Sequence, residues 1–312
     1  MDRVKTHIIL FLAFCILGFS QIYAQSHKSI LSKNDIIKFL PETSDGKAES
    51  FWNHAVAENK EFLKTIDIIF NKNGSSAKKA IQDIAKALGE TESYYSNDAL
   101  ILSYIDSAKY DVLGNTSLAD SIHVYYLNYE DANAFCTPQT NVYVYEGLLN
   151  TLPEDKFYVC FMGILAHEFT HGLLHHALVR QYKIAKKERQ QELIAGIATG
   201  LAVYHNNYSK TRGTKSMIPD TRDVISKVHI WARKETLRYQ FKYSKEMEYQ
   251  ADIVAFRFLD WIGVGGEVFI EALQSINDPF ADSNDYSDHP STSERISLLK
   301  YLCTQKRIRY NQ

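Results

Sequence analysis

The chain lacks an excess of charge of either sign. Its 312 residues carry a formal net charge of −2 at pH 7, and no segment is polybasic. Nucleic-acid-binding proteins and proteins that bind lipid surfaces through basic segments depend on such an excess. The composition therefore argues against a nucleic-acid partner and leaves enzymes and protein-binding modules open.

Long hydrophobic runs are also lacking beyond the N-terminus. Residues 8–19 are apolar, follow Arg3 and Lys5, and precede Ala24. The run is shorter than the roughly 20 residues that span a bilayer, whereas a basic start, an apolar core and a small residue are typical of a cleaved signal peptide. We therefore predict a signal peptide at residues 1–24, a secreted or periplasmic location, and no integral membrane span in the mature chain. The alternative is an uncleaved N-terminal anchor in the inner membrane, with the rest of the chain facing outward.

Cysteine is scarce, with four residues in the whole chain. Cys136, Cys160 and Cys303 lie beyond the predicted signal peptide, so at least one of them is unpaired, and the sequence leaves the disulfide pairing open. We predict that Cys136 is a free thiol. A thiol nucleophile at Cys136, paired with a histidine, is a rival hypothesis, but no neighbouring residue orders such a pair.

What the chain does contain is the sequence His-Glu-Phe-Thr-His at residues 167–171. Residues four apart lie on one face of a helix, so His167 and His171 can present ring nitrogens to one metal ion. Glu168 then lies beside that ion, where a carboxylate can take a proton from water. The alternative is a helix with two solvated or hydrogen-bonded histidines.

The residues before this motif predict a buried helix. Thr151 and Glu154 form a capping-box pattern, with Pro153 in the first turn, so we expect the helix to begin near residue 152. Residues 157–166 are too apolar for a surface helix. Ionisable groups at the end of a buried helix need compensation, which a metal ion would provide. The basic residues at 183–189 are expected to form the solvated continuation of the same helix.

A second helical stretch, opening at Ser244, carries carboxylates at helical spacing. Its apolar residues recur with the period of a helix, and Gly263 is expected to end it. Glu248 and Asp252 are four apart and point the same way. Glu248 can complete a His-His-Glu ligand set, and Asp252 can accept the free ring N–H of a liganding histidine. A solvated acidic face is the alternative.

The run Glu-x-x-Ala-Asp at residues 248–252 resembles the second signature of the HtpX-type and CAAX prenyl endopeptidase family of zinc metallopeptidases. Residues 133–138 and 142–149 resemble the strand that precedes the active-site helix in that family. His289-Pro290, followed by Arg295, resembles its C-terminal motif. His176 falls where the family often has a histidine. The resemblance extends over residues 122–303.

The resemblance implies a role for each matched residue. The positions that match the family's zinc ligands are His167, His171 and Glu248, which implies one Zn²⁺ per chain. Glu168 matches the catalytic glutamate, and Asp252 matches a carboxylate that supports the ligands. His289 matches a position near the zinc. There it either stabilises the transition state of the reaction or caps the open coordination position, and the sequence leaves that choice open.

Two segments before the metal motif predict strands and a substrate groove. Residues 122–127 and 142–145 are rich in β-branched and aromatic residues, and residues 133–141 are expected to form the turn between them. An exposed strand edge beside a metal site can pair with an extended peptide, whereas a hairpin with a covered edge would be purely structural. The predicted substrate-binding residues are Asn133, Ala134, Phe135, Val142 and Tyr143.

These observations predict an α+β fold, mostly helical and zincin-like, with a small antiparallel or mixed sheet at the cleft. We expect an N-terminal helical region at residues 25–115, which buttresses the core, and a metallopeptidase domain at residues 116–312. The predicted function is that of a zinc-dependent metalloendopeptidase that cleaves unfolded or misassembled envelope proteins, with polypeptides as its partners. The alternative is a chaperone-like or substrate-binding protein with a latent or inactive peptidase site. The natural substrate and the oligomeric state remain open.

Overall fold

Helices surround one small sheet in the computed structural model, which describes residues 44–58, 98–114, 117–137, 140–213, 221–276 and 290–310. The elements, in chain order, are α1 Ala48–Glu58, α2 Ala99–Leu113, α3 Ser117–Ser121, β1 Val124–Leu127, β2 Ala134–Cys136, β3 Val142–Tyr145, α4 Glu146–Thr151, a 3₁₀ turn at Glu154–Lys156, α5 Phe157–Leu173, α6 His176–Thr211, α7 Thr221–Trp261, α8 Glu267–Ser275 and α9 Thr292–Tyr310. The predicted α+β class is confirmed. The predicted signal peptide and His289 lie outside the described residues.

Helix α5 is the buried centre of the fold. Every residue from Cys160 to Thr170 is buried, as its all-round apolar sequence predicts. The helix begins at Phe157, so its predicted start near residue 152 is wrong. The Thr151 hydroxyl donates to the Leu148 carbonyl oxygen inside α4 at 2.8 Å. It therefore cannot cap α5.

The chain turns sharply at the end of α5. The backbone N–H groups of Leu174 and His175 donate to the carbonyls of Thr170 and Gly172, both at 3.0 Å. His175 adopts the left-handed backbone conformation with φ 52°, which residues other than glycine rarely adopt. The basic residues at 183–189 therefore belong to a new helix, α6, and the predicted continuation of α5 is wrong.

The sheet has the order β1-β3-β2 and is mixed. Strand β1 pairs parallel to β3, and β2 pairs antiparallel to β3, with Phe135 opposite Tyr143. The predicted turn at residues 133–141 is therefore wrong in part, because residues 134–136 form a strand. This extra strand places β3 in the centre and leaves β2 at an edge of the sheet.

Helices α6 and α7 pack against each other as a long hairpin. Helix α7 begins at Thr221, well before the predicted opening at Ser244. It ends at Trp261, and Gly263 follows with φ 83°, which agrees with the predicted helix end. The hairpin thus connects the histidine motif on α5 to the carboxylates on α7.

The described part of the N-terminal region packs on the core. The Trp52 indole nitrogen donates to the Val112 carbonyl oxygen at 2.7 Å, which ties α1 to α2. The rings of Phe51 and Trp52 lie 5.4 and 5.8 Å from that of Phe258 on α7. These contacts fit the predicted buttressing role, and the division of the chain at residue 115 stays a prediction. No helix among the described residues combines the length and apolarity needed to cross a membrane.

Candidate metal centre

Three side chains from two helices converge beside the edge strand β2. They are His167 and His171 on α5 and Glu248 on α7, and their ligand atoms lie within 4.8 Å of one another. The two Nε2 atoms are 3.2 Å apart. The Glu248 oxygens Oε2 and Oε1 lie 3.5 Å from His167 Nε2 and His171 Nε2, respectively. The carboxylate therefore faces both imidazoles.

These separations fit a tetrahedral metal ion. Zinc binds nitrogen and oxygen ligands at about 2.0–2.1 Å, which sets neighbouring ligand atoms of a tetrahedron about 3.4 Å apart. The observed separations of 3.2 and 3.5 Å lie on either side of that value. Two imidazoles and one carboxylate are also ligands that zinc accepts. The site could therefore hold one metal ion with one coordination position left for water or substrate.

Asp252 contacts His167 through the ring nitrogen that does not face Glu248. Its side chain is fully buried, and Oδ1 lies 2.9 Å from His167 Nδ1. Arg295 donates to both carboxylate oxygens, from Nη2 to Oδ1 at 2.6 Å and from Nε to Oδ2 at 2.8 Å. Burial alone would raise the pKa of Asp252, but Arg295 and His167 together outweigh burial and lower it. Asp252 is therefore a buried carboxylate that stays ionised and orients His167.

The first turn of α9 places Arg295. The Glu294 backbone N–H donates to the Ser291 hydroxyl at 3.2 Å, and the Ser291 backbone N–H donates to Glu294 Oε2 at 3.0 Å. This reciprocal pair is a capping box with Ser291 as the N-cap, so α9 begins at Thr292 and Arg295 lies in its first turn. The sequence did not predict the guanidinium's role, although its match to the family's C-terminal arginine was the signal that could have found it.

His176 supports the other histidine. It is 3% exposed, and its Nδ1 lies 3.0 Å from His171 Nδ1. The left-handed residue His175 brings it there, because an uninterrupted helix would carry His176 away from that face. Burial lowers the pKa of His171 to about 4 and that of His176 well below its ordinary value. Both rings are therefore neutral at pH 7, and a neutral pair needs one ring to donate and the other to accept.

The contact with His176 couples the tautomers of the two rings. If the His171 Nδ1–H donates to His176, the His171 Nε2 lone pair faces Glu248 and is ready to bind a metal ion. For His176→Leu we expect roughly 10–100-fold weaker zinc affinity, the usual effect of removing a partner of a liganding histidine. His176→Asn should lose much less, because its amide oxygen can accept near the position of Nδ1. Competition with a chromophoric chelator measures both. Equal affinities for the leucine variant and the wild type would contradict this role.

Burial and charge also shift the pKa values of His167 and His171 in opposite directions. Burial alone would lower the pKa of His167, but the side chains of Asp252 and Glu248 raise it to about 9. The environment of His167 therefore favours a positive charge, whereas His171 is held neutral. A cation bound by both nitrogens would satisfy the carboxylates around His167.

A cleft of about 250 Å³ opens on this centre. Glu168, 8% exposed, lines it together with Asn133, Ala134 and Phe135. The predicted general base and three of the predicted substrate-binding residues therefore share one cleft.

Val142 and Tyr143 do not line this cleft, and their place among the substrate-binding residues stays a prediction. Both are buried on β3, which pairs with a strand on each side. A central strand has no free backbone edge to offer a peptide. Tyr143 instead stacks against the Phe135 ring, with centroids 5.0 Å apart, and so supports β2 from inside the sheet.

Gly172 lets the edge strand come close to the metal motif. A Cβ at this position would lie 2.3 Å from Thr140 Cγ2 and 2.9 Å from Cys136 Sγ, distances at which the residues must move apart. Cys136 is a free thiol in the structure, as are Cys160 and Cys303. Burial, followed by the charge of Glu168, raises the pKa of Cys136 well above its ordinary value. The rival hypothesis of a thiolate nucleophile at Cys136 therefore finds no support.

Comparison with known proteins gives one finding. A sequence model of Peptidase family M48 matches residues 108–303, a span that includes α5, α7 and Arg295. No curated protein matches the chain.

Proposed function

The chain belongs to peptidase family M48 and is a metallopeptidase, and on that premise we propose that it is a zinc-dependent endopeptidase of extended, unfolded polypeptides. The observation that carries the proposal is the joint position of Glu168 and the His-His-Glu set in one cleft beside a sheet edge. Family membership does not favour the chaperone-like alternative. The closer resemblance to HtpX-type and CAAX prenyl endopeptidases stays a prediction.

The metal centre and Glu168 divide the chemistry between them. Bound at His167, His171 and Glu248, zinc would supply a Lewis acid that makes water a stronger acid and polarises a carbonyl. Glu168 takes a proton from the attacking water as the oxygen adds to the peptide carbonyl carbon. When the C–N bond breaks, Glu168 returns that proton to the leaving amine nitrogen. His289, which lies outside the described residues, is our candidate for stabilising the developing oxyanion.

The edge strand β2 is suited to hold the substrate. The Tyr145 N–H donates to the Asn133 carbonyl at 3.0 Å, and the Thr137 N–H donates to the Asn141 carbonyl at 2.8 Å. Backbone groups alternate sides along an antiparallel strand, so those of Ala134 and Cys136 point away from β3. A peptide that paired with Ala134 would lie over the cleft in an extended conformation. Extended backbone with unpaired N–H and C=O groups is available in unfolded proteins, whereas folded proteins pair most of these groups internally.

Substituting proline for Ala134 tests this pairing. Proline removes the outward N–H, and an edge strand tolerates it where that N–H is not used by the sheet. We expect Ala134→Pro to raise KM for unfolded casein by about ten-fold, which corresponds to one lost charge-neutral hydrogen bond. The folded content and zinc stoichiometry should stay unchanged. An unaltered KM would remove the edge strand from the substrate site.

The function itself is tested with zinc-loaded protein and two forms of one substrate. We expect cleavage of reduced, unfolded lactalbumin at internal bonds, little cleavage of the native disulfide-bonded form, and loss of cleavage on chelation with recovery on adding zinc. Mass spectrometry of the fragments distinguishes internal from terminal cleavage. Binding of the unfolded form without any cleavage would contradict the proposal and favour the chaperone-like alternative.

We propose that the activity acts on envelope proteins in a secreted or periplasmic location. The basis is the sequence at residues 1–24, with an N-terminal anchor as the alternative. N-terminal sequencing of the protein recovered from cell fractions tests it: a start at residue 25 supports cleavage, whereas an intact N-terminus in the membrane fraction supports the anchor.

A further inference from the structure

The hairpin of α6 and α7 has large apolar side chains on its outside. We define the helical arm as the described residues 186–213 and 221–237. On α6, six large apolar residues of the arm are between 40% and 66% exposed; they are Leu193, Ile197, Leu201, Val203, Tyr204 and Tyr208. On α7 the arm exposes Ile230, Trp231 and Leu237. An ordinary two-helix hairpin buries such residues between its helices.

Small and polar residues occupy the inside of the arm instead. The buried positions on α6 are Gln191, Ala195, Ala202 and Ser209, and those on α7 are Ala232 and Thr236. At 3.6 residues per turn, the buried positions of α6 lie roughly 130° around the helix from the centre of the apolar row. The hairpin therefore does not use this row to hold itself together.

Five of the exposed residues form one continuous stripe. Leu193, Ile197, Leu201, Tyr204 and Tyr208 fall within an arc of about 80° on the helix wheel. We call these five residues the apolar stripe. Tyr204 and Tyr208 stack at its distal end, with ring centroids 6.2 Å apart. A row of aliphatic side chains that ends in tyrosines is typical of a helix that lies at a membrane–water interface.

The charged residues of α6 that lie nearest to the apolar stripe are basic. Helix α6 carries six lysines and arginines but only two acidic residues, Glu188 and Glu192. On the helix wheel Lys186 falls inside the arc of the stripe, whereas both glutamates lie about 100° or more outside it. Beyond the distal end, the Arg212 guanidinium lies over the Tyr208 ring at 5.0 Å. Basic groups thus flank the stripe at both ends, although the whole chain has a net charge of −2.

We propose that the helical arm docks, through its apolar stripe, on an anionic lipid surface. The stripe supplies apolar side chains for the interface between headgroups and acyl chains, and the flanking basic groups attract anionic headgroups. A second copy of the chain fits less well, because pairing two such stripes would bring basic groups of the same sign together. The arm lies on the surface without crossing it, in keeping with the absence of a spanning helix among the described residues.

Docking would hold the metal centre close to the lipid. Helix α6 starts at His176, which contacts His171, and α7 carries Glu248. The helix that carries the stripe therefore starts at the candidate metal centre, and the stripe begins roughly 25 Å further along α6 at 1.5 Å per residue. The proposal is independent of the peptidase activity and can fail without affecting it.

Vesicle flotation with the full chain tests the proposal. The vesicles contain phosphatidylcholine alone or mixed with phosphatidylglycerol. Their concentration is kept low enough that part of the protein stays unbound. We expect the wild type to prefer the anionic vesicles and to be released by salt. Leu193→Gln/Ile197→Gln should bind roughly ten-fold more weakly, and Lys186→Gln should bind anionic vesicles about five-fold more weakly. Every variant keeps the same N-terminal segment, so any affinity of that segment is common to all.

The matched control is Leu100→Gln, which changes a side chain that is 69% exposed on α2, outside the arm. It should bind like the wild type. Circular dichroism and zinc stoichiometry check that each variant is folded. Equal flotation of the stripe variant and the control would overturn the proposal. A concentration-dependent dimer that forms without vesicles and is lost in the stripe variant would also overturn it, by assigning the stripe to a second copy of the chain.

Discussion

Replacing Glu168 by glutamine is expected to lower kcat on unfolded casein by roughly 10²–10⁴-fold, the usual contribution of a positioned general base. Glutamine has nearly the same shape but cannot accept the proton of the attacking water. The metal ligands His167, His171 and Glu248 are untouched, so zinc stoichiometry should stay the same. Steady-state assays measure kcat, and elemental analysis of the purified variant measures its zinc content.

The matched control is Glu154→Gln, which changes an exposed carboxylate in the 3₁₀ turn before α5. It should keep full activity. Wild-type kcat in Glu168→Gln would remove this residue from the proton transfer, whereas loss of zinc from that variant would show that Glu168 acts on the metal centre and not on the water.

Replacing Arg295 by methionine is expected to lower the free energy of unfolding by about 3–5 kcal/mol, because the buried Asp252 carboxylate loses its guanidinium partner and keeps only the contact with His167. Asp252 is fully buried and receives two hydrogen bonds from Arg295. No exposed charge pair would have an effect of this size, since such pairs contribute about 0–1 kcal/mol. Urea unfolding of the zinc-free protein measures the loss without a contribution from metal binding.

A double variant separates stability from metal binding. Arg295→Met/Asp252→Leu removes both charges, so it should recover much of the lost stability. It should still bind zinc roughly 10–100-fold more weakly than the wild type, because His167 has lost the carboxylate that orients it. The free energy of unfolding of Arg295→Met could instead lie within about 0.5 kcal/mol of the wild-type value, as for an ordinary surface substitution. In that case the buried pair does not have the predicted role.

The sequence predicted the chemistry of the site better than the path of the chain. The helix period places His167 and His171 on one face, and the same rule applies to Glu248 and Asp252, because a helix fixes the direction of each side chain from local geometry alone. The small sheet and the mostly helical class were also predicted. The sequence did not predict that a strand at residues 134–136 pairs with β3, where Val142 and Tyr143 are buried, because strand pairing depends on residues distant in sequence.

The ends of helices were predicted unevenly for a similar reason. Gly263 ends α7 through its own backbone conformation, which any sequence context allows. Thr151 has the residue type of a cap, but its hydroxyl bonds within α4. The break at His175 has no glycine to mark it. The break places the buried His176 against His171, a contact that local sequence does not reveal.

By itself, the sequence determined the ligand types and their helical spacing, and through them the class of reaction. The tertiary structure alone decided that α5 and α7 bring those ligands within reach of one ion. It also decided that Arg295 contacts Asp252 and that His176 contacts His171. It also decided that β2 is an edge strand beside the cleft and that a row of apolar residues faces outward along α6. The physical reason is the distance along the chain between the residues that interact. Backbone geometry fixes directions within one helix, whereas burial, long-range ion pairs and strand order depend on which distant segments the whole chain packs together.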